Sequence, residues 1–444
     1  MMRIALIGEN SVEYVRCLLK IWSQGDCVVL LDWRIPFPKM VEMMQEANVK
    51  ICYVDEVIYQ KLKNNVPTWI DVRIYNNKKG TMYIPKDCYE LFCESYSESE
   101  AVVIYSSGTT GKSKGIILSH YAINKNADSI LDYMKPQSGD CIYLAKSLSH
   151  SSTLIGELLV ALKAQIRAVI SPTIILPRML LNNIAKYNVS IICLNPTLLR
   201  LLINEYQQNR YNLASLRCMY ICGAPLTVQL YEDAKRELCD IKIYNMYGLT
   251  EAGPRVASQT DHYHTSNSVG KPIKEVEVVI TDEEGNIVSE GECGIIHVNT
   301  PSKFSGYISG NTKHLSLYKG WLNTGDIGSF DMNGELYIQG RLDDVMIINA
   351  HKIYPKDIEE QLLKYSEIKE CSVFAIDTKN EKMIACIYTA DRELSSNNLI
   401  PFLSKYLMPY EIPHIYKRVE RIPIVSNGKF DYKKMREIIK EYIE

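Results

Sequence analysis

Twelve consecutive residues, IYSSGTTGKSKG at positions 104–115, have the side chains of a loop that can wrap a polyphosphate. Glycines let backbone N–H groups turn toward an anion, while hydroxyl and ammonium groups add hydrogen bonds and positive charge. The P-loop of nucleoside triphosphatases is a competing interpretation, but it requires glycine five residues before Gly111, where this chain has Ser106. Residues 101–105 and 115–118 both have strand-like sequences, so the loop is predicted to join two strands.

Four further short motifs follow this loop along the chain. They are YGLTEAGP at 247–254, LNTGD at 322–326, GRLDD at 340–344 and SNGK at 426–429. Together and in this order, the motifs resemble those of the adenylate-forming (AMP-binding) enzymes, a superfamily of acyl-CoA synthetases, aryl-acid ligases such as 4-coumarate:CoA ligases, luciferases and stand-alone adenylation enzymes. The resemblance extends from near residue 4 to about residue 436. It implies ATP-dependent conversion of a carboxylic acid to an acyl-adenylate with release of pyrophosphate, followed by transfer to a thiol.

The composition is that of a folded protein with a sizeable core. Of 444 residues, 46% are hydrophobic and 23% are charged, and the formal net charge is −2. These values argue against disorder and against a basic surface for nucleic acid. The 13 cysteines contain no C-x-x-C pair and are expected to be reduced thiols in a cytoplasmic protein. No apolar run approaches the roughly 18 residues of a membrane-spanning helix, so no membrane partner is expected.

Strand-like and helix-like segments alternate along most of the chain. Strand-like runs at 4–7, 28–31 and 50–54 enclose helical stretches at 11–22 and 40–45. The alternation resumes after residue 115, with strand-like runs at 141–144 and 191–194 and a helical stretch at 153–164. This rhythm predicts the α/β class, with a large N-terminal domain of two α/β sheets plus a small β-rich subdomain near residues 276–298. A small α+β C-terminal domain is expected to follow. The resemblance implies an AMP-binding core at 1–342 and a mobile lid at 343–444 that carries the catalytic lysine.

The resemblance assigns nucleotide contacts to several of these motifs. In the first loop it implies hydrogen bonds and charge for the β- and γ-phosphates; Ser113 stands where the family usually has proline. Tyr247 would stack on adenine, and Asp326 with Arg341 would bind the ribose hydroxyls. The loop contacts would be Ser106, Ser107, Thr109, Thr110 and Lys114, and the base pocket would draw on Gly223, Ala224, Pro225, Asn245, Met246 and Gly248.

Three residues resemble the family's catalytic groups. Thr250 corresponds to a hydrogen-bond donor to the α-phosphate, and Glu251 to the carboxylate that holds Mg²⁺, the cofactor implied beside ATP. Lys429 corresponds to the lysine whose ammonium bridges the attacking carboxylate and the α-phosphate. Two structural alternatives remain open, because a Thr-Glu pair at a strand end can cap a helix, and a lysine after Asn-Gly can be a solvated turn residue. Asp343 resembles the hinge about which such enzymes rotate the small domain.

The acid substrate is expected to contact His150, Ser151, Gly248 and Ala252. By alignment, Ser151 stands where amino-acid-activating relatives place an aspartate that pairs with the substrate ammonium. The sequence therefore favours an aryl or acyl acid over an α-amino acid. His150 can equally be a core histidine, and an amino-acid-adenylating enzyme with an atypical pocket remains an alternative.

The thiol acceptor is expected to be coenzyme A or the phosphopantetheine arm of an acyl or peptidyl carrier protein supplied in trans. Ala350 and Lys352 stand where the family usually has Gly and Arg near the pantetheine tunnel. A carrier can compensate for a poorer tunnel with surface contacts, so the sequence predicts better loading of a carrier than of coenzyme A. A plain acyl- or aryl-CoA ligase is the alternative. A catalytically silent homologue is disfavoured because Thr250, Glu251 and Lys429 are all present.

Overall fold

The computed structural model describes residues 1–76, 80–106, 113–172, 176–261, 264–265, 267–310, 318–348, 351–378, 382–424 and 430–443. These residues form two compact units. The first comprises Met1–Leu226, Leu230–Val278 and His297–Leu322, and the second comprises Thr227–Gln229, Val279–Ile296 and Asn323–Glu444. The predicted domain boundary between residues 342 and 343 stays a prediction.

The strands of the described residues are, in chain order, β1 (Arg3–Gly8), β2 (Cys27–Asp32), β3 (Ile51–Asp55), β4 (Asp71–Tyr75), β5 (Met82–Tyr83), β6 (Glu100–Ser106), β7 (Lys114–Ser119), β8 (Cys141–Leu144), β9 (Arg167–Ile170), β10 (Ile191–Leu194), β11 (Cys218–Ile221), β12 (Lys242–Tyr247), β13 (Ala257–Ser258), β14 (Lys271–Pro272), β15 (Glu277–Thr281), β16 (Gly294–Asn299), β17 (Gly306–Tyr307), β18 (Leu322–Phe330), β19 (Leu336–Arg341), β20 (Met346–Ile348), β21 (His351–Ile353), β22 (Glu370–Asp377), β23 (Lys382–Thr389) and β24 (Ile415–Arg418).

The α-helices are α1 (Val12–Ser23), α2 (Phe37–Glu46), α3 (Glu56–Leu62), α4 (Lys86–Leu91), α5 (His120–Met134), α6 (Ser151–Thr153), α7 (Val160–Ala164), α8 (Pro177–Lys186), α9 (Pro196–Gln208), α10 (Val228–Glu237), α11 (Pro355–Leu362), α12 (Ser396–Leu403) and α13 (Tyr432–Ile443). A π-helical turn, Leu154–Leu159, connects α6 to α7. Short 3₁₀ turns include Thr250–Ala252 and Leu342–Asp344.

Two large sheets organise the first unit. One has the order β17-β7-β6-β2-β1-β3-β4, and the other has the order β14-β13-β12-β11-β10-β8-β9-β5. The central strands pair in parallel, and antiparallel strands join at the edges. Their buried runs, such as β10 (IICL), are apolar throughout because helices cover both faces of such sheets. The predicted α/β class with two sheets is confirmed.

Local sequence explains where the covering helices begin. The Ser11 side chain accepts a hydrogen bond from the N–H of Tyr14 and so caps α1. Asn195 caps α9 in the same way, and Pro196 occupies the first position of that helix, where a missing N–H costs nothing. These caps determine where the two helices begin.

The second unit is a mixed α+β structure. A four-stranded sheet, β15-β16-β18-β19, contributes most of its residues to this unit, and β20 pairs with β21. A three-stranded sheet, β22-β23-β24, packs against α11 and α12 around buried Val373, Cys386 and Leu399. Helix α13 buries Met435 and Ile439 against the other side of that sheet. Among the described residues, no helix is both long enough and apolar enough to cross a membrane.

A buried carboxyl group lies between α11 and β22 in the second unit. The Oε1 atom of Glu359 accepts a hydrogen bond of 2.7 Å from the N–H of Val373. Burial raises the pKa of the Glu359 carboxyl to about 8, although the Val373 N–H, Lys356 and Ser372 all act to lower it, while Asp344 raises it further. The folded protein therefore holds this proton at a pH where the unfolded chain has released it.

The raised pKa of Glu359 makes stability depend on pH. The folded state binds more protons than the unfolded state between the ordinary glutamate pKa and about pH 8, so the free energy of unfolding falls as pH rises through that window. Glu359→Gln, which keeps the acceptor for Val373, is expected to flatten this decline in urea titrations. Glu441→Gln at an exposed position of α13 serves as the control. An unchanged decline in Glu359→Gln would contradict the assignment.

Candidate active site

The ends of the predicted phosphate loop lie side by side. Strands β6 and β7 are antiparallel, and Ser106 is directly opposite Lys114 in the register. The predicted pair of strands is therefore present, and the hairpin brings these two side chains to the base of the loop. Ser107, Thr109 and Thr110 lie outside the described residues, so their predicted phosphate contacts stay predictions.

Tyr307 connects this hairpin to the predicted metal-binding carboxylate. Its hydroxyl donates a hydrogen bond of 3.0 Å to Oε1 of Glu251, and the Lys114 ammonium lies 5.7 Å from the centre of its ring. Strand β17, which carries Tyr307, pairs antiparallel with β7. The N–H of Phe304 also donates to the Glu251 carbonyl at 2.9 Å. Sequence reasoning missed Tyr307, because nothing distinguishes it among 30 tyrosines.

Thr250 meets the predicted acid-binding segment. Its Oγ1 shares a hydrogen bond of 2.9 Å with Oγ of Ser151, which is buried at the start of α6. Leu249, not Thr250, occupies the cap position of the 3₁₀ turn. Thr250 therefore does not act as a helix cap. His150 lies just before α6, and its side chain makes no capping bond there. The structure thus brings together Ser151, Thr250 and Glu251 within one unit.

The chain around Thr250 makes very close backbone approaches. A Cβ atom added to Gly248 would lie 1.9 Å from the carbonyl oxygen of Pro254, so only glycine fits there. Ala252 is fully buried, and its carbonyl accepts a 3.4 Å bond from Nδ2 of Asn126 on α5. The loop that carries the two predicted catalytic groups is therefore held firmly from both sides.

The predicted adenine pocket draws on the ends of two neighbouring parallel strands. Gly223, Ala224 and Pro225 follow β11, and Gly223 has a φ of +93°, which favours glycine. Asn245 lies in β12, where its N–H donates to Oε1 of Gln259 at 2.9 Å and its Nδ2 donates to the carbonyl of Ser268 at 2.9 Å. The following residues, Met246 and Tyr247, are buried and half-buried respectively.

The predicted ribose-binding pair lies in the second unit. Asp326 on β18 and Arg341 on β19 are cross-strand partners, and Nη1 of Arg341 lies 3.0 Å from Oδ1 of Asp326. The Asp326 side chain is buried, and its backbone N–H donates to Oγ1 of Thr324. The guanidinium therefore holds one carboxylate oxygen and fixes the orientation of the Asp326 side chain. The ribose contacts of this pair stay predictions.

The predicted hinge and catalytic lysine also belong to the second unit. Asp343 is exposed in the 3₁₀ turn that follows β19, while burial raises the pKa of the neighbouring Asp344 carboxyl. Lys429 lies outside the described residues. The chain on either side of it is paired, because Ile424 and Phe430 form an antiparallel bridge. The roles of Asp343 and Lys429 therefore stay predictions.

The comparison with protein families decides what kind of enzyme this arrangement belongs to. Residues 2–308 match the family described as AMP-binding enzyme. The chain belongs to the AMP-binding enzymes. The predicted membership in the adenylate-forming superfamily is confirmed, and the antiparallel hairpin, the Thr250–Glu251 turn and the β11–β12 strand ends all fall inside the matched residues.

Relatives of this AMP-binding enzyme align with nearly all of its residues. A 2-succinylbenzoate–CoA ligase of Bacillus mycoides (strain KBAB4) is 27% identical over 451 residues, which cover 99% of this chain and 89% of the relative. ATP-bound MatB from Rhodopseudomonas palustris shares the fold with a TM-score of 0.88 at 22% identity, covering 100% of this chain and 90% of that one. The O-succinylbenzoate coenzyme A synthetase (MenE) from Bacillus subtilis, bound to AMP, has a TM-score of 0.80 at 23% identity, covering 97% and 87%.

The surroundings of Glu251 in this AMP-binding enzyme are compatible with the predicted Mg²⁺ ion. Among the described residues, no group of three His, Cys, Asp or Glu side chains is placed to hold a metal. Mg²⁺ usually binds through one or two carboxylates together with phosphates and waters, so a single carboxylate is sufficient. The half-buried Glu251, oriented by the Tyr307 hydroxyl, provides one.

Glu251→Gln is expected to lower pyrophosphate release by about 10²–10³-fold and to raise the Mg²⁺ concentration needed for half-maximal rate. Glutamine keeps an acceptor for the Tyr307 hydroxyl but removes the negative charge. Steady-state assays across a Mg²⁺ titration measure both quantities. Tyr307→Phe is the matched control, because it removes the hydrogen bond and keeps the charge, and it should cost about tenfold or less. Wild-type Mg²⁺ dependence in Glu251→Gln would contradict the assignment.

Proposed function

We propose that this chain is an AMP-forming acid–thiol ligase that activates an aryl or acyl carboxylic acid and transfers it to coenzyme A. The observation that carries the proposal is the connection from Lys114 through Tyr307 to Glu251, beside the Ser151–Thr250 contact. The residues that we propose for phosphate, metal and acid binding are thus neighbours in one unit of a chain of this family, which supports the proposal. The class predicted from the sequence, an acid–thiol ligase, is confirmed by relatives that are CoA ligases by name.

In the first half-reaction, a carboxylate oxygen of the acid attacks the α-phosphorus of ATP, and the bond to the pyrophosphate oxygen breaks. Lys114 and Ser106 would hold the departing phosphates, and Thr250 would donate to the α-phosphate. Mg²⁺ held by Glu251 would neutralise charge that develops on the phosphate oxygens. Lys429 would bring the two anionic reactants together. These groups accelerate the step by positioning and by electrostatic stabilisation, since the phosphoryl chemistry itself needs no covalent help.

In the second half-reaction, a thiolate attacks the acyl carbon and the bond to AMP breaks. Relatives named as CoA ligases favour coenzyme A as the source of this thiol. Ala350 lies outside the described residues, and the predicted preference for a carrier protein stays a prediction. The two kinds of thiol acceptor, coenzyme A and a set of purified carrier proteins, should therefore be compared in parallel assays of thioester formation.

The acid is expected to lack an ammonium group beside its carboxylate. Oγ of Ser151 is engaged with Thr250, and a serine at this position provides no charge to pair with an ammonium. Aryl acids are the first candidates for the substrate, because a relative is named for 2-succinylbenzoate and a fold neighbour for anthranilate. Acyl acids come second.

Pyrophosphate release over aryl, short-chain, long-chain and α-amino acids, each with ATP, Mg²⁺ and coenzyme A, tests the proposal. The expected result is acid-dependent release of pyrophosphate and AMP, with an acyl-CoA thioester as the product. ADP formation, or fastest turnover with a standard α-amino acid, would contradict it.

A further inference from the structure

The stretch of chain between β8 and α6 is held by the carboxyl edge of the other large sheet. Residues 145–151, which we call the 145–151 segment, lead from β8 into α6 and end with the two predicted acid contacts. Nδ2 of Asn10 donates a hydrogen bond of 2.7 Å to the carbonyl of Lys146. Oδ1 of the same amide accepts a bond of 2.9 Å from the N–H of Leu148. One side chain therefore bonds two backbone groups of this segment.

A second contact comes from the neighbouring strand of that sheet. Asp32 is the last residue of β2, which pairs in parallel with β1, so it lies at the same carboxyl edge as Asn10. Oδ2 of Asp32 accepts a hydrogen bond of 3.3 Å from the hydroxyl of Ser149. Burial acts to raise the pKa of the Asp32 carboxyl, but hydrogen bonds and charge from Arg34, together with the charge of His150, lower it overall. An ionised carboxylate therefore faces the 145–151 segment.

Asn10 is itself fixed by the elements on either side of it. Strand β1 ends at Gly8, where an added Cβ atom would lie 1.8 Å from the hydroxyl oxygen of Tyr75, so only glycine fits there. That Tyr75 hydroxyl donates to the carbonyl of Ile7 at 3.1 Å. On the other side, Ser11 caps α1. Asn10 is 4% exposed, and its amide is presented from a rigid junction of strand and helix, as a positioning residue requires.

The far end of the 145–151 segment reaches a predicted catalytic group. Within the segment, the hydroxyls of Ser147 and Ser149 share a hydrogen bond of 2.8 Å, and the N–H of His150 donates to the Ser147 carbonyl at 3.1 Å. Oγ of Ser151 then shares its bond of 2.9 Å with Oγ1 of Thr250. A shift of the segment at its Asn10 end would therefore move the groups that are predicted to bind the acid.

We propose that Asn10 and Asp32 are positioning residues for acid binding, because they hold the 145–151 segment in the place from which it contacts the acid. This inference rests on the proposed function and adds to it the part of the chain on which acid affinity depends, namely the carboxyl ends of β1 and β2. The two side chains act through the segment and not by touching the acid or the nucleotide. Loss of the Asn10 amide leaves two backbone groups without their partner, so the segment loses its fixed place.

The test compares the Michaelis constants for the acid and for ATP, measured by pyrophosphate release with the acid that gives the fastest wild-type turnover. Asn10→Ala is expected to raise KM for the acid by about tenfold, because both hydrogen bonds to the segment are lost. KM for ATP should stay within about twofold, since the predicted nucleotide contacts lie on other segments. A side chain that only stabilises the fold would lower the amount of folded enzyme and leave both constants unchanged.

Asn124→Ala is the matched control. Asn124 on α5 is 2% exposed, and its Nδ2 donates to the carbonyls of Ser95 and His120 at 2.8 and 3.0 Å. The change deletes a buried amide of the same kind at a place that does not hold the 145–151 segment, so both Michaelis constants should stay at their wild-type values. A comparable rise in KM for the acid in Asn124→Ala would overturn the inference.

Ser149→Ala tests the second contact with a smaller change. It removes the donor to Asp32 and should raise KM for the acid by about threefold, again without an effect on KM for ATP. An unchanged KM for the acid in this variant would remove Asp32 from the positioning role.

The outcomes separate this inference from the proposed function. If wild-type enzyme releases no pyrophosphate with any acid, the proposed function fails and this inference fails with it. If wild-type enzyme is active but folded Asn10→Ala has an unchanged KM for the acid, or equal rises for acid and ATP, the function stands and the positioning role is overturned. If Asn10→Ala does not fold, Ser149→Ala decides by the same criteria.

Discussion

Lys429→Ala is expected to lower acid-dependent pyrophosphate release by about 10²-fold or more, because it removes one electrostatic group that draws the carboxylate and the α-phosphate together. The resemblance places this lysine in the first half-reaction only. A supplied acyl-adenylate should therefore still be converted to thioester at close to the wild-type rate. Single-turnover assays of the two half-reactions measure both effects.

The control for Lys429→Ala is Lys434→Ala, a change of an exposed lysine near the start of α13. It removes the same charge a short distance along the chain and should leave both half-reactions unchanged. Equal losses in the two half-reactions of Lys429→Ala would rule out a role specific to adenylate formation.

Asp343→Pro is expected to have the opposite effect. Adenylate formation should persist within a few-fold, while thioester formation should fall by about 10²-fold or more, because a fixed φ at the pivot blocks the rotation that the second half-reaction requires. The exposed position of Asp343, early in a short 3₁₀ turn, makes proline compatible with the fold.

Asp343→Ala separates the backbone effect of proline from loss of the carboxylate. This variant keeps rotation about φ and should retain most thioester synthesis. Thioester synthesis at the wild-type rate in Asp343→Pro would place the hinge elsewhere, and an equal loss in Asp343→Ala would assign the effect to the side chain.

Regular structure was predictable where a segment's own pattern determines it. Strands β8 and β10 have the predicted bounds, and the βαβ alternation identified the two large sheets. The segment predicted as a helix at 153–164 begins earlier, at Ser151, and contains the π-helical turn Leu154–Leu159. An apolar period cannot distinguish the two helix types, because the turn depends on packing against other segments. Two-residue strands such as β17 were missed because their pairing is distant in sequence.

The site was predictable only where short motifs carry it. Thr250, Glu251 and Lys114 follow from motif resemblance, and the structure brings their segments together. Tyr307 and Asn126 carry no local signal, since their partners lie far away along the chain. Their contacts are tertiary: the Tyr307 hydroxyl orients the Glu251 carboxylate, and the Asn126 amide donates to the carbonyl of Ala252.

ATP–pyrophosphate exchange in the absence of any thiol tests the central claim most directly. An enzyme that forms an acyl-adenylate must return labelled pyrophosphate to ATP whenever the correct acid is present. The account predicts exchange that requires both acid and Mg²⁺, needs no coenzyme A and is lost in Lys429→Ala. The acid is supplied at a saturating concentration that supports turnover. Absence of exchange without coenzyme A, or formation of ADP from ATP instead, would contradict the account.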